Sequence, residues 1–213
     1  MFKTFLRVFA IAGSIWIATG AVAAGETVRG VGFGDSLMAG YQLAPGDAFP
    51  ARLEAALRAD GYAVSIANAG VSGDTTSGGL ARLDWSIPED TDFVILELGA
   101  NDALRGISPE ITRQNIEKMI VQLRARGIDV ILAGMQAPPN MGSDYAAAFN
   151  PIYPEMAEKY ELPFYPFFLD GVIGDGSKLL DDGMHPNTDG VSEMAERMAP
   201  VVKTYLDREQ SEG

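Results

Sequence analysis

The run Asp92-Phe93-Val94-Ile95-Leu96-Glu97-Leu98 constrains the fold of this chain more than any other stretch. It is apolar almost throughout, as suits a central strand of a parallel sheet, buried on both faces. It opens into a polar loop, Gly99-Ala100-Asn101-Asp102. The same order recurs along the chain. Val28 to Phe33 runs into Gly34-Asp35-Ser36, and Ala63 to Ala67 runs into Asn68-Ala69-Gly70-Val71-Ser72-Gly73-Asp74-Thr75. Ile128 to Ala133 leads to a stiff loop carrying Pro138-Pro139-Asn140, and the proline-bounded Leu162 to Phe167 leads to a long loop over Phe168 to Met184.

Helical spacing fills the intervals. Phe49, Leu53, Ala56 and Leu57 predict a helix over 49–60, stopped by Gly61 where a left-handed cap belongs. A second is expected from about Thr76 to Asp84, with Leu80 and Leu83 inward. A third starts at Ser108-Pro109-Glu110, with a cap and a proline in its first turn. Ile111, Ile116, Ile120 and Leu123 carry its inner face to Gly127. A fourth runs from Tyr145 to Tyr160, and a closing helix from Asn187 to Leu206 turns Val191, Met194, Met198 and Val201 to one side. Five strand–helix alternations predict an α/β protein, a parallel five-stranded sheet covered by helices on both faces in three α/β/α layers. At 213 residues the chain fills one core and is short for two domains.

The first residues stand apart. Lys3 and Arg7 precede an apolar segment from Val8 to about Ala18, and Ala21-Val22-Ala23-Ala24 supplies small residues for cleavage. That is the order of a secretory signal peptide, so residues 1–24 are expected to be removed and 25–213 to form the domain, in the periplasm or the medium. The apolar run, broken by Gly13 and Ser14 and again by Thr19 and Gly20, is short for a retained membrane span. The chain has no cysteine, and its formal charge is −13; without Lys3 and Arg7, 14 basic residues face 29 acidic ones. Such a surface repels phosphate backbones and anionic membranes, which argues against nucleic acid and for small molecules, or lipids met one at a time.

Ser36 follows a strand end, where open α/β sheets keep their ligands. As a nucleophile it needs a base and a group that stabilises the charge that develops. The chain has one histidine, so a histidine-activated Ser36 implies His185 as the base. In Asp181-Asp182-Gly183-Met184-His185-Pro186 a carboxylate three residues before the imidazole can fold back onto Nδ1 and leave Nε2 for the serine. Asp182 has that spacing, and Asp181 is its rival. Oxyanion donors are available in the loops: the backbone amides of Ser36 and Gly73 and the side-chain amide of Asn101.

These blocks, Gly34-Asp35-Ser36-Leu37, the loop ending in Gly73, Gly99-Ala100-Asn101-Asp102 and Asp182-Gly183-Met184-His185-Pro186, resemble in order the four blocks of the GDSL, or SGNH, hydrolases. They are most similar to the secreted bacterial arylesterases and thioesterase/lysophospholipases. The resemblance implies a flavodoxin-like strand order 2-1-3-4-5, Ser36 as nucleophile, Ser36, Gly73 and Asn101 as oxyanion donors, and Asp182 and His185 as the other triad members. It implies no cofactor and no metal. Ala100 replaces a glycine usual in the third block, a change expected to alter loop packing more than chemistry.

The expected substrate is a small ester, thioester or lysolipid. Leu104, Ile107, Met135, Pro138 and Phe149 are the expected lining of an acyl pocket. The aspartates from Asp170 to Asp182 lack the ligand spacing of a calcium loop and are read as solvated. Two other readings use the same sequence: a carbohydrate O-deacetylase, and a non-catalytic exported binding domain.

Overall fold

The computed structural model describes Met1 and residues 26–212. Apart from Met1, the expected leader lies outside the described residues. Five parallel strands, β1 (Val28–Gly34), β2 (Val64–Gly70), β3 (Phe93–Leu96), β4 (Asp129–Ala133) and β5 (Phe164–Tyr165), form one sheet in the order β2-β1-β3-β4-β5. β3 is buried along its whole length, as its apolar run requires. β5 is only two residues long because Pro163 and Pro166 bracket it and neither can donate to a ladder.

The helices are α1 (Ser36–Ala39), α2 (Phe49–Ala59), α3 (Thr76–Ser86), α4 (Ala100–Leu104), α5 (Pro109–Ala125), α6 (Ser143–Phe149), α7 (Ile152–Tyr160) and α8 (Thr188–Glu212). α2 packs on α8 and α3 on α5, the two covering layers of the sheet. Among the described residues no helix is long and apolar enough to cross a membrane.

Several elements differ from their expected form. The helix expected over 145–160 is two helices, because Pro151 removes an N–H at the join. Ile111, expected inward, is exposed, and Thr112, Asn115, Ile116, Met119, Ile120 and Leu123 form the buried stripe of α5. Ile111 is five residues from Ile116, about 140° around the helix, so a period of 3.6 places the two on different faces. Val201 is half-buried and its neighbour Val202 fully buried. Ser108 precedes α5 but makes no side-chain capping bond. The short helices α1 and α4 occupy stretches expected to be loops; α1 starts at Ser36 and α4 at Ala100, one residue before Asn101.

The connection from β1 leaves toward β2, and the chain then crosses to β3 on the other side of β1. Strand order therefore reverses between β1 and β3, and a crevice opens beyond their carboxyl ends.

Candidate active site

Ser36 is the first residue of α1, two residues past the last central position of β1. Asp35 stands at the N-cap; its Oδ1 accepts from Leu37 N–H at 3.0 Å, and its own N–H donates to Glu97 Oε2 at 3.2 Å. The turn is tight enough to require glycine at Gly34, where a Cβ would stand 2.3 Å from Glu97 Oε2. Behind it Arg82 is buried, donating to Gly34 O at 2.9 Å, Ala69 O at 2.8 Å and Asp74 Oδ2 at 2.7 Å, with its guanidinium 4.0 Å from the Phe33 ring centre. One cation thus fastens the ends of β1 and β2 and the loop that carries Gly73.

The last loop returns across the sheet to meet Ser36. Leu179 and Pro186 pair as an antiparallel bridge, and Asn187 donates to Ser177 O at 2.8 Å while its Oδ1 accepts from Asp189 and Gly190 N–H at the start of α8. His185, on the returning arm of this hairpin with its carbonyl accepting from Leu180 N–H at 2.8 Å, places Nε2 2.9 Å from Ser36 Oγ and Nδ1 2.7 Å from Asp182 Oδ2. The other oxygen of Asp182 accepts from the backbone N–H of Met184 and of His185, each at 2.9 Å. Those two N–H donors, then the imidazole, lower the Asp182 carboxyl to about 2. Asp181 is exposed on the same hairpin, and Asp182 is the neighbour that reaches His185.

The three residues expected to supply oxyanion donors, Ser36, Gly73 and Asn101, line the same cavity. Asn101 is the second residue of α4, and its Nδ2 donates to Asp35 Oδ2 at 3.0 Å, so the N-cap of the serine helix also orients the Asn101 amide. Gly73 has φ +80°, and Arg105 donates to its carbonyl at 2.7 Å. Ala100 is accommodated without strain: Gly99, at φ +123°, makes the turn, and Ala100 begins α4. Ser36, Gly73, Asn101, Asp182 and His185 all face one cavity of about 700 Å³.

Of the expected acyl-pocket residues, Leu104, Met135 and Pro138 line that cavity, together with Tyr41, Phe167, Leu169 and Ile173. Phe149 does not. It is fully buried and packed between Tyr145 and Tyr153, the one buried residue of an otherwise largely exposed α6. Ile107 lies outside too, its carbonyl accepting from Tyr145 Oη at 2.7 Å. The acidic loop is more structured than solvation implies: Asp170 pairs with Arg197 at 2.9 Å, and Asp175 accepts from Ser177 N–H and Oγ at 3.0 and 2.6 Å. Sequence reasoning missed Asp102, which is fully buried and accepts from Thr76 N–H at 2.8 Å, Thr76 Oγ1 at 2.5 Å and Thr112 Oγ1 at 3.1 Å. This cluster ties α3 and α5 to α4, and hence to Asn101. Its only signal in the sequence was a carboxylate next to the loop asparagine.

A serine, an imidazole and a carboxylate in hydrogen-bonded series, at the carboxyl ends of a parallel sheet and beside amide donors, describe the class of α/β serine hydrolases. Residues 33–192 match the GDSL-like Lipase/Acylhydrolase family, and the chain belongs to that family. It is 40% identical to an arylesterase of Vibrio mimicus over 81% of this chain and 87% of that protein. It is 35% identical to the thioesterase 1/protease 1/lysophospholipase L1 of Escherichia coli K12, over 83% and 84% of the two chains. Among solved structures, AlinE4, an SGNH-hydrolase family esterase, superposes with a TM-score of 0.71 at 44% identity, covering 85% of this chain and 98% of that one.

Proposed function

We propose that this chain is an exported serine esterase that hydrolyses carboxylic esters, and thioesters of similar shape, through an acyl-enzyme. The observation that carries the reading is the series Ser36 Oγ, His185 Nε2 and Asp182 Oδ2, spaced 2.9 and 2.7 Å and opening on an apolar-walled cavity. His185 takes the Ser36 proton as Oγ attacks the carbonyl carbon, and Asp182 stabilises the imidazolium. The oxyanion that forms is met by the N–H of Ser36, the N–H of Gly73 and Nδ2 of Asn101. His185 returns the proton to the leaving alcohol or thiol. A water deprotonated by the same imidazole then releases the acid and regenerates Ser36.

The walls supplied by Leu104, Met135, Phe167, Leu169 and Ile173 favour an acyl chain longer than acetyl, which sets this reading above carbohydrate deacetylation. Small neutral or zwitterionic esters, lysolipids among them, suit the acidic surface. The leader composition supports a periplasmic or secreted location. The test is hydrolysis of p-nitrophenyl esters from acetyl to palmitoyl, and of acetylated xylan, by wild type and Ser36→Ala. Turnover of medium-length esters that vanishes in the variant is expected. Turnover confined to the acetylated sugar, or undiminished in the variant, would overturn the reading.

A further inference from the structure

Tyr41 lies with its ring centre 4.4 Å from that of His185, the planes tilted by 35°. Asp182 and Ser36 hold the imidazole at its two nitrogens, in the plane of the ring, and Tyr41 covers one face of it. Among the described residues the Tyr41 hydroxyl makes no hydrogen bond within the protein, so the aromatic face is what this side chain offers.

The backbone around Tyr41 is bent on both sides. Gly40 closes α1 in the left-handed conformation, φ 76°, and both Gly40 N–H and Tyr41 N–H donate to Ser36 O, at 3.2 and 3.1 Å. A Cβ at Gly40 would stand 2.6 Å from that of Ala48, so the turn takes glycine alone. Gln42 follows at φ 58°, a conformation a non-glycine residue adopts only where its surroundings impose it. One four-residue helix therefore carries Ser36 at its start and releases Tyr41 from its end. The fold accepts strain at Gln42, next to the residue that covers the imidazole.

Resting on the reading of Ser36 and His185 as nucleophile and base, we infer that Tyr41 is a positioning residue that holds the His185 ring by its face and stabilises the imidazolium formed when Ser36 gives up its proton. An aromatic face within about 6 Å of a cation attracts it through the ring quadrupole, and it attracts the neutral imidazole less. The contact is therefore stronger in the transition state than in the resting enzyme, which is the condition for it to raise turnover. Two carboxylates bear on the imidazole: Asp182 on its own hairpin and Asp35 at the N-cap of α1. Both are unchanged by substitution at Tyr41, as is the exposed Asp181 beside Asp182.

Because the chain has one histidine, its imidazole proton resonances can be titrated without assignment. The experiment follows them against pH in full-length mature wild type, Tyr41→Phe and Tyr41→Leu, with kcat and KM for a p-nitrophenyl ester measured alongside. The midpoint in Tyr41→Leu is expected roughly 0.4–0.7 pH units below wild type, with kcat down about two- to fivefold and KM little changed. Tyr41→Phe is expected to follow wild type in all three. The wild-type and Phe spectra should also carry an upfield ring-current displacement of the histidine protons that Tyr41→Leu loses, a readout that needs no activity. A Leu midpoint equal to wild type, a Phe variant that shifts as far as Leu, or no ring-current displacement in wild type would overturn the inference. Loss of the Ser36 reading would show separately, as an inactive wild type whose histidine still titrates.

Discussion

Two groups of carboxylates flank Ser36 and stand in opposite conditions. Asp182 lies on an exposed hairpin, takes two backbone N–H donors and an imidazole, and is held ionised, near 2. Asp35 and Glu97 lie at the dry ends of β1 and β3, both with no exposed surface. Burial pushes Asp35 up to about 6 against the opposing pull of the Leu37 N–H and the Asn101 amide. It pushes Glu97 well above the usual range, with the Asp35 charge adding to the effect. Glu97 Oε1 has no hydrogen-bond partner, a condition far more costly for a carboxylate than for a neutral acid. Each group is one residue removed from Ser36, Asp182 through His185 and Glu97 through Asp35, so nearness to the nucleophile does not set their charge. The supply of donors relative to lost water does. The exposed region is built to keep a charge beside the imidazole, and the buried region to fix the turn that presents Ser36.

The contrast is broken most severely at Asp182. Asp182→Asn is expected to lower kcat/KM for a p-nitrophenyl ester by roughly 10³–10⁴, since the amide cannot hold the proper imidazole tautomer. Asp181→Asn should stay within about twofold; the reverse order would move the orienting role to Asp181. Asn101 donates to Asp35, lines the same cavity as Ser36 and Asp182, and is the proposed side-chain donor to the oxyanion. Asn101→Ala should reduce kcat by about 10²–10³ with KM nearly constant, and a loss confined to KM would remove it from the oxyanion site.

The two regions also predict opposite dependences of stability on pH. A carboxyl raised by folding contributes stability that is complete below its unfolded value, near 4, and is lost as pH rises through its folded value. Asp35 and Glu97 should therefore make wild type lose unfolding free energy from pH 4 to pH 7 and beyond. In Glu97→Gln, urea titrations should show a flatter slope over that range and a gain of about 1–3 kcal/mol at pH 7. An unchanged slope would mean that Glu97 ionises freely. Asp182 has the opposite sign: its contribution is present above the unfolded value and is lost as pH falls toward 2. Because its side chain is 40% exposed, Asp182→Asn should change stability least of these.

What could be read in the sequence was local. Each strand end and its loop lie within a few residues of one another, so Ser36, Gly73 and Asn101 could be placed at one edge of a sheet from apolar runs alone. The choice between Asp182 and Asp181 is local too, but it is a matter of turn geometry. It depends on the Met184 and His185 N–H groups turning toward one carboxylate, which spacing does not specify. Arg82 and Asp102 were hidden for a stronger reason, since their partners are distant in sequence: Gly34 for the first, Thr76 for the second. Phe149 lies in the core, and its apolar character alone does not separate a core position from a pocket wall. Ile111, by contrast, was decidable from sequence, because a 3.6-residue period already turns it away from Ile116.

The most direct test is the site of covalent modification. A fluorophosphonate, an electrophile that traps activated serines, should add one equivalent to the mature wild type, and peptide mass spectrometry should place it on Ser36. The adduct should be absent from Ser36→Ala and form slowly in Asp182→Asn. A folded wild type that stays unlabelled, or a label that persists when Ser36 is removed, would contradict the assignment of Ser36 as the nucleophile that His185 activates.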